Sequence, residues 1–145
     1  MSETFPALLA LALSAFTSAT LLPGTSEAVF IALHVADAAS GWLLLGVASV
    51  ANVAGSCVNW AMGRFLSRYA DRRWFPVSEA QLARASGWYR RYGWPSLLAS
   101  WLPIIGDPII AVAGLLRTPF ALFVIVVAFA KTARYAVLLW LIDLI

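Results

Sequence analysis

Apolar residues run along this chain in blocks, separated by short polar breaks. Phe5–Leu22 holds no charged residue, and Pro23-Gly24-Thr25-Ser26-Glu27 interrupts it. Proline removes a backbone donor and glycine loosens the chain, so a helix is expected to stop there. Ala28–Ala36 is apolar again but too short to cross a bilayer, which takes roughly 20 helical residues. Two short helices about a polar break predict a re-entrant hairpin. Irregular backbone of that kind survives at membrane depth only inside protein or beside a water-filled cavity. Trp42–Gly63 is uncharged and long enough for a full span. Along it Val47, Ala51, Gly55, Asn59 and Gly63 recur every four residues. This mostly small stripe suits close helix packing, within the protein or in a dimer.

The pattern then returns. Trp94–Leu102 is short and apolar, Pro103-Ile104-Ile105-Gly106-Asp107-Pro108 breaks it, and Ile109–Leu116 is short again. Phe120–Ile142 spans, carrying Lys131 and Arg134, with Thr118 placed as its cap and Pro119 as its first residue. Leu22-Pro23 and Leu102-Pro103 are each followed by three residues and then an acid, Glu27 or Asp107. Ala51–Gly55 aligns in the same way with Ala130–Arg134. The expected fold is therefore an all-α integral membrane protein of one domain, residues 1–145. It holds two inverted repeats, residues 5–63 and 94–145, each a re-entrant broken-helix hairpin plus one transmembrane helix. An amphipathic basic linker, 64–93, joins them. Inversion follows because a hairpin returns to its own side and the next helix crosses once. If Phe5–Leu22 spans instead, the N-terminus changes sides and the symmetry weakens. Paired interrupted segments in two halves point to a transport site near the midplane.

Composition narrows the class. The chain is 62% hydrophobic and 12% charged, against about 45–50% and about 25% in soluble domains. That excludes an ordinary soluble fold and a disordered chain. The charge is unevenly placed: residues 64–93 carry seven arginines against Asp71 and Glu79, while the whole chain is only +3. The positive-inside rule puts this linker in the cytoplasm. Beside apolar spans its partner is expected to be anionic lipid rather than nucleic acid, for which no recognition motif is present. Ser78 and Gln81 fit a capping box, and Leu82, Ala85, Tyr89 and Tyr92 share a helix face. An interfacial helix with Trp74, Trp88 and Trp94 as anchors is expected. Met1-Ser2-Glu3 lacks the positive start of a secretory signal, so the first apolar run is expected to be retained. The lone Cys57 is expected to be a packed residue. No metal, cofactor or enzyme motif is present, and none of the three is expected.

Candidate chemistry lies in the membrane charges. Glu27 and Asp107 stand at the breaks, and Lys131 and Arg134 in the last span. A charge at the centre of a membrane helix costs ~2.5–3.5 kcal/mol on insertion scales, so such groups pair, line a polar cavity, or do both. Lys131 and Arg134 are suited to hold a phosphate, and Glu27 or Asp107 to carry a proton. Asn52, which aligns with Lys131, adds a hydrogen-bonding group. Ser26, Thr25 and Ser100 are lesser candidates. Pro23, Gly24, Pro103 and Gly106 are expected to shape the breaks. His34 is expected to be packed or interfacial, and Asp37 to lie in a turn.

Several of these segments together resemble the DedA family, also called the VTT or SNARE-associated Golgi protein family, in its small YqaA-like bacterial branch. They are Ser18–Glu27, Gly63-Arg64-Phe65, Arg91-Tyr92-Gly93, Ser100–Pro103 with Gly106-Asp107, and Lys131 with Arg134-Tyr135. The resemblance implies two facing re-entrant hairpins and lipid movement: recycling of undecaprenyl phosphate, proton-dependent membrane homeostasis or phospholipid scrambling. It places the chain in a bacterial inner membrane as a multi-pass protein. The chain departs from the larger members at Arg-Phe-x-Pro-x-x-Arg, where Ser100 and Gly106 replace both arginines. The expected function is a lipid or lipid-phosphate translocase, proton-linked, with membrane lipids such as a polyprenyl phosphate as partners and a homo-oligomer as its assembly. The alternatives are a proton- or ion-coupled transporter of a small solute and a non-transport assembly partner.

Overall fold

The computed structural model describes residues 3–20, 24–66, 68, 71–73, 77–102 and 105–145, and the regular elements among them are all helical. Pro23, Pro103, Leu22, Trp74 and Pro76 lie outside the described residues. The elements are α1 (Thr4–Thr20), α2 (Thr25–Val35), α3 (Gly41–Phe65), α4 (Glu79–Tyr92), a 3-10 helix (Trp94–Trp101), α5 (Gly106–Leu115) and α6 (Phe120–Asp143). Among the described residues, only α3 and α6 are long and apolar enough to cross a membrane. At 1.5 Å per residue they reach roughly 36–38 Å, whereas α2 and α5 reach about 15–17 Å, half of a ~30 Å hydrocarbon core.

The short helices begin earlier than the hydrophobic runs suggested. α2 starts at Thr25 and α5 at Gly106, so Glu27 and Asp107 fall inside the first turns. A carboxylate there meets the positive end of the helix, which favours the earlier start. Gly24 precedes α2 at φ 89°, a left-handed conformation that glycine adopts without a Cβ clash. Asp37 turns the chain at φ 53°, as expected of a turn residue.

The packing pairs the halves. α1 lies against α2 and α3, and the 3-10 helix lies against α5 and α6. α3 also contacts α5, and α6 also contacts α2. α1 runs parallel to α3: Asn52 Nδ2 donates to the Ala15 carbonyl at 2.9 Å and Asn59 Nδ2 to the Ala19 carbonyl at 2.5 Å. α3 and α6 are antiparallel, because Gly41 abuts Leu139 and Trp60 packs on Phe120 at 5.1 Å. His34 Nε2 sits 2.8 Å from Asp143 Oδ1, joining the ends of α2 and α6.

Among the described residues two large apolar cores form, beside a small one of Val77 and Ala111. One gathers Leu11, Phe30, Leu44, Tyr135 and Leu139. The other gathers Tyr89, Leu97, Ile109, Phe123 and Val127. α6 passes through both, and Lys131 and Arg134 lie on it between them. Of the small stripe, Gly55, Asn59 and Gly63 are buried within the protein. A Cβ on Gly63 would stand 1.8 Å from the Ala111 carbonyl oxygen, and one on Gly55 2.6 Å from that of Phe16.

One local expectation needs correction. Thr118 does not cap α6; Pro119 holds the cap position, and the Thr118 hydroxyl is bonded to the Tyr89 hydroxyl instead. Burial of that tyrosine demands a polar partner, and Thr118 supplies it. Tyr92 shares a face with Ala85 and Tyr89 but not their burial: those two are buried, while Tyr92 lies at the helix end and is exposed. The capping box of Ser78 and Gln81 forms as expected.

Candidate functional site

Lys131, Arg134 and Tyr135 stand at spacings of three and four on α6, so one helix face carries all three. The first turns of α2 and α5 bring the two acids to that face. Arg134 Nη2 lies 3.1 Å from Glu27 Oε1, and Lys131 Nζ lies 3.8 Å from Asp107 Oδ1. The first is an ion pair at close range; the second is an ion pair beyond hydrogen-bond length. Lys131 is only 2% exposed. Ammonium and guanidinium groups so deep in an apolar helix require counter-charges, and the acids supply them.

Further polar groups extend the first pair. Tyr135 Oη donates to Ser26 Oγ at 2.8 Å. Ser26 Oγ lies 3.1 Å from Glu27 Oε2, to which it donates, and 3.3 Å from Ser18 Oγ. Arg134 Nη1 donates to the Trp101 carbonyl at 3.3 Å, and its guanidinium lies over the Tyr135 ring, 5.2 Å from the centroid. Tyr135 itself packs on Phe30, 5.7 Å between centroids. The fork of Arg134 therefore ties α2 to the end of the 3-10 helix.

Ser18, Gly24, Asn52, Leu102, Asp107, Lys131 and Arg134 line a polar cleft of about 10 Å³, room for roughly one water. Asn52 is 1% exposed, and its Oδ1 has no partner among the described residues. The Arg134 Nε is likewise unpartnered. Buried orphan atoms of this kind mark strain, an exchangeable water or a ligand position.

The site thus joins all five residues singled out from sequence: Glu27, Asp107, Lys131, Arg134 and Asn52. Gly24 also lines it. Gly106 acts by close approach, because a Cβ there would stand 2.8 Å from the Ser100 carbonyl oxygen. Any side chain at 106 would meet that backbone, so Gly106 packs directly on Ser100. Ser18, the Tyr135 hydroxyl and the Trp101 carbonyl were not legible in the sequence. Ser18 and Tyr135 fall in the segments that resemble the DedA family, but nothing in the residues themselves singled out their hydroxyls.

A VTT domain model matches residues 22–144. The chain belongs to the VTT-domain, or DedA, family. The Escherichia coli protein named "Inner membrane protein YqaA" is 36% identical over 135 residues, 93% of this chain and 89% of that protein. A Haemophilus influenzae protein named "Uncharacterized protein" is 36% identical over 136 residues, 89% of this chain and 83% of that one. No solved structure matches the chain. This VTT-family chain is a membrane protein, and the matched residues include both ion pairs, Glu27–Arg134 and Asp107–Lys131.

Proposed function

We propose that this protein is a lipid or lipid-phosphate translocase of a bacterial inner membrane. The observation that carries the reading is the cleft itself: two acids on half-length helices and two bases on a spanning helix converge there beside an unpartnered asparagine oxygen. In this reading α1–α2 and the 3-10 helix–α5 pair are re-entrant hairpins entering from opposite faces, and the repeats are inverted. Three contacts support that topology. α1 runs parallel to α3, α2 ends beside the end of α6, and Tyr89 of the linker meets Thr118 before α6. The linker then lies in the cytoplasm, where its arginines meet anionic headgroups.

Lys131 and Arg134 are the phosphate-binding groups, Arg134 through its fork. Because the cleft admits about one water, a headgroup passes only when the two ion pairs part. A phosphate takes over both cations as they do, and a proton arriving on Glu27 or Asp107 weakens its pair. The test is reconstitution into liposomes holding a fluorescent polyprenyl phosphate and a fluorescent phospholipid. Wild type is expected to speed leaflet crossing, and folded Glu27→Gln and Arg134→Lys protein to lose it. Crossing unchanged in both variants, or absent in folded wild type, overturns the reading.

The narrowness of the cleft favours a second reading, a proton- or ion-coupled transporter of a small solute. Its mark in the same liposomes is proton or solute flux that depends on Glu27 while neither lipid crosses.

A further inference from the structure

A second cavity lies apart from the charged cleft, between α4 and α5. Gln81, Arg84, Ala85 and Trp88 share one face of α4, at successive helical spacings, and form one wall. Ile105, Pro108 and Ile109 form the other. The groove measures about 310 Å³, within the range of small-ligand sites. Its floor is apolar, since Ile109 is fully buried. Its polar groups are the Arg84 guanidinium and the Gln81 amide, and no carboxylate lines it. Arg84 is exposed and forms no ion pair among the described residues. Gln81 Oε1 is taken by the Ser78 backbone amide in the capping box, which leaves the amide hydrogens of Gln81 free to donate. Trp88 stands half exposed at the rim.

We propose that this groove binds an anionic phospholipid of the surrounding bilayer, with an acyl chain along Ile105, Pro108 and Trp88 and the phosphate on Arg84 and Gln81. Charge decides the occupant. An apolar trough ending in one unpaired cation and one amide donor complements an amphiphile with a negative head, and nothing in it repels that head. The position agrees: α4 carries Arg84, Arg90 and Arg91 and belongs to the basic segment 64–93, which in a membrane seeks anionic headgroups. The site is independent of what the charged cleft carries.

Native mass spectrometry of the full chain in mild detergent tests it, with dioleoyl phosphatidylglycerol and dioleoyl phosphatidylcholine offered separately. Wild type is expected to retain phosphatidylglycerol in preference to phosphatidylcholine. Arg84→Gln is expected to weaken phosphatidylglycerol retention about tenfold, the loss of one charge-assisted contact. Arg84→Lys recovers part of it, and Trp88→Ala weakens both lipids. Arg90→Gln removes the same charge from an exposed position outside the groove and is expected to change retention less than about twofold. Equal loss in Arg84→Gln and Arg90→Gln protein means diffuse attraction and overturns the proposal. So does equal retention of the two lipids by wild type. Leaflet crossing can fail while this binding holds, so the two readings fail separately.

Discussion

Lys131 and Arg134 are tolerated in an apolar helix because each meets a carboxylate, at 3.8 Å and 3.1 Å. Pairing of this kind is asymmetric in energy: the intact pair contributes little, but removing one partner strands the other. Lys131→Met alone is therefore expected to cost about 3 kcal/mol, and Lys131→Met with Asp107→Asn to restore most of it. Unfolding in mild detergent, followed by circular dichroism, measures both. A harmless single variant would show that Asp107 is well solvated without the lysine. The four charges were legible in the sequence because each interrupts an apolar run. Which acid meets which base was not, since that depends on how α2 and α5 pack on α6. The Tyr135–Ser26–Ser18 series was hidden for the same reason, as serine and tyrosine in an apolar segment stand out little.

Among the elements, the contact of α3 with α5 depends on two glycines that bring backbones together. A Cβ on Gly63 would lie 1.8 Å from the Ala111 oxygen, and one on Gly114 2.0 Å from the Trp60 oxygen. Neither neighbour is a side chain that can swing away. Gly63→Ala is expected to separate the helices and cost roughly 3 kcal/mol, at the upper end for overpacking. Gly46→Ala, on the same helix with open space around it, is expected to be neutral or slightly stabilising. Melting temperatures of the two variants in one detergent make the comparison; equal shifts would mean that the contact is slack. The small stripe announced close packing, but small residues mark a contact without naming its partner. Gly55 meets α1 and Gly63 meets α5, and no period distinguishes them.

For the molecule as a whole, the surface is apolar and part of the interior is polar. Phe5, Trp42, Val50, Ile125, Phe129 and Trp140 are exposed, while Ser26, Asn52, Ser56, Asn59 and Lys131 are buried. Water would not favour that distribution, and hydrocarbon does. The proposed topology makes a prediction at this scale. With Cys57 replaced by serine, single cysteines at Glu3, Ser40 and Ala83 report sidedness to a membrane-impermeant maleimide on intact cells. Glu3→Cys and Ser40→Cys are expected to label, and Ala83→Cys only after permeabilisation. Labelling of Glu3→Cys together with Ala83→Cys would mean that α1 spans and the hairpin does not re-enter.

Hydrophobic run length, read against bilayer thickness, determined from the sequence alone that this is a helical membrane chain with two full-length helices, shorter broken ones and a basic segment between. Those quantities are local: a run of residues either reaches across hydrocarbon or does not, and a cluster of proline, glycine and polar residues between two runs marks a break. Only the tertiary structure decided that Glu27 meets Arg134 and Asp107 meets Lys131, that Asn52 keeps a free oxygen beside them, that Thr118 serves Tyr89 instead of capping α6, and that a groove opens between α4 and α5. Each of these depends on atoms far apart in the chain. Their distances are set by which helix faces pack together, and packing is satisfied for all faces at once rather than one segment at a time.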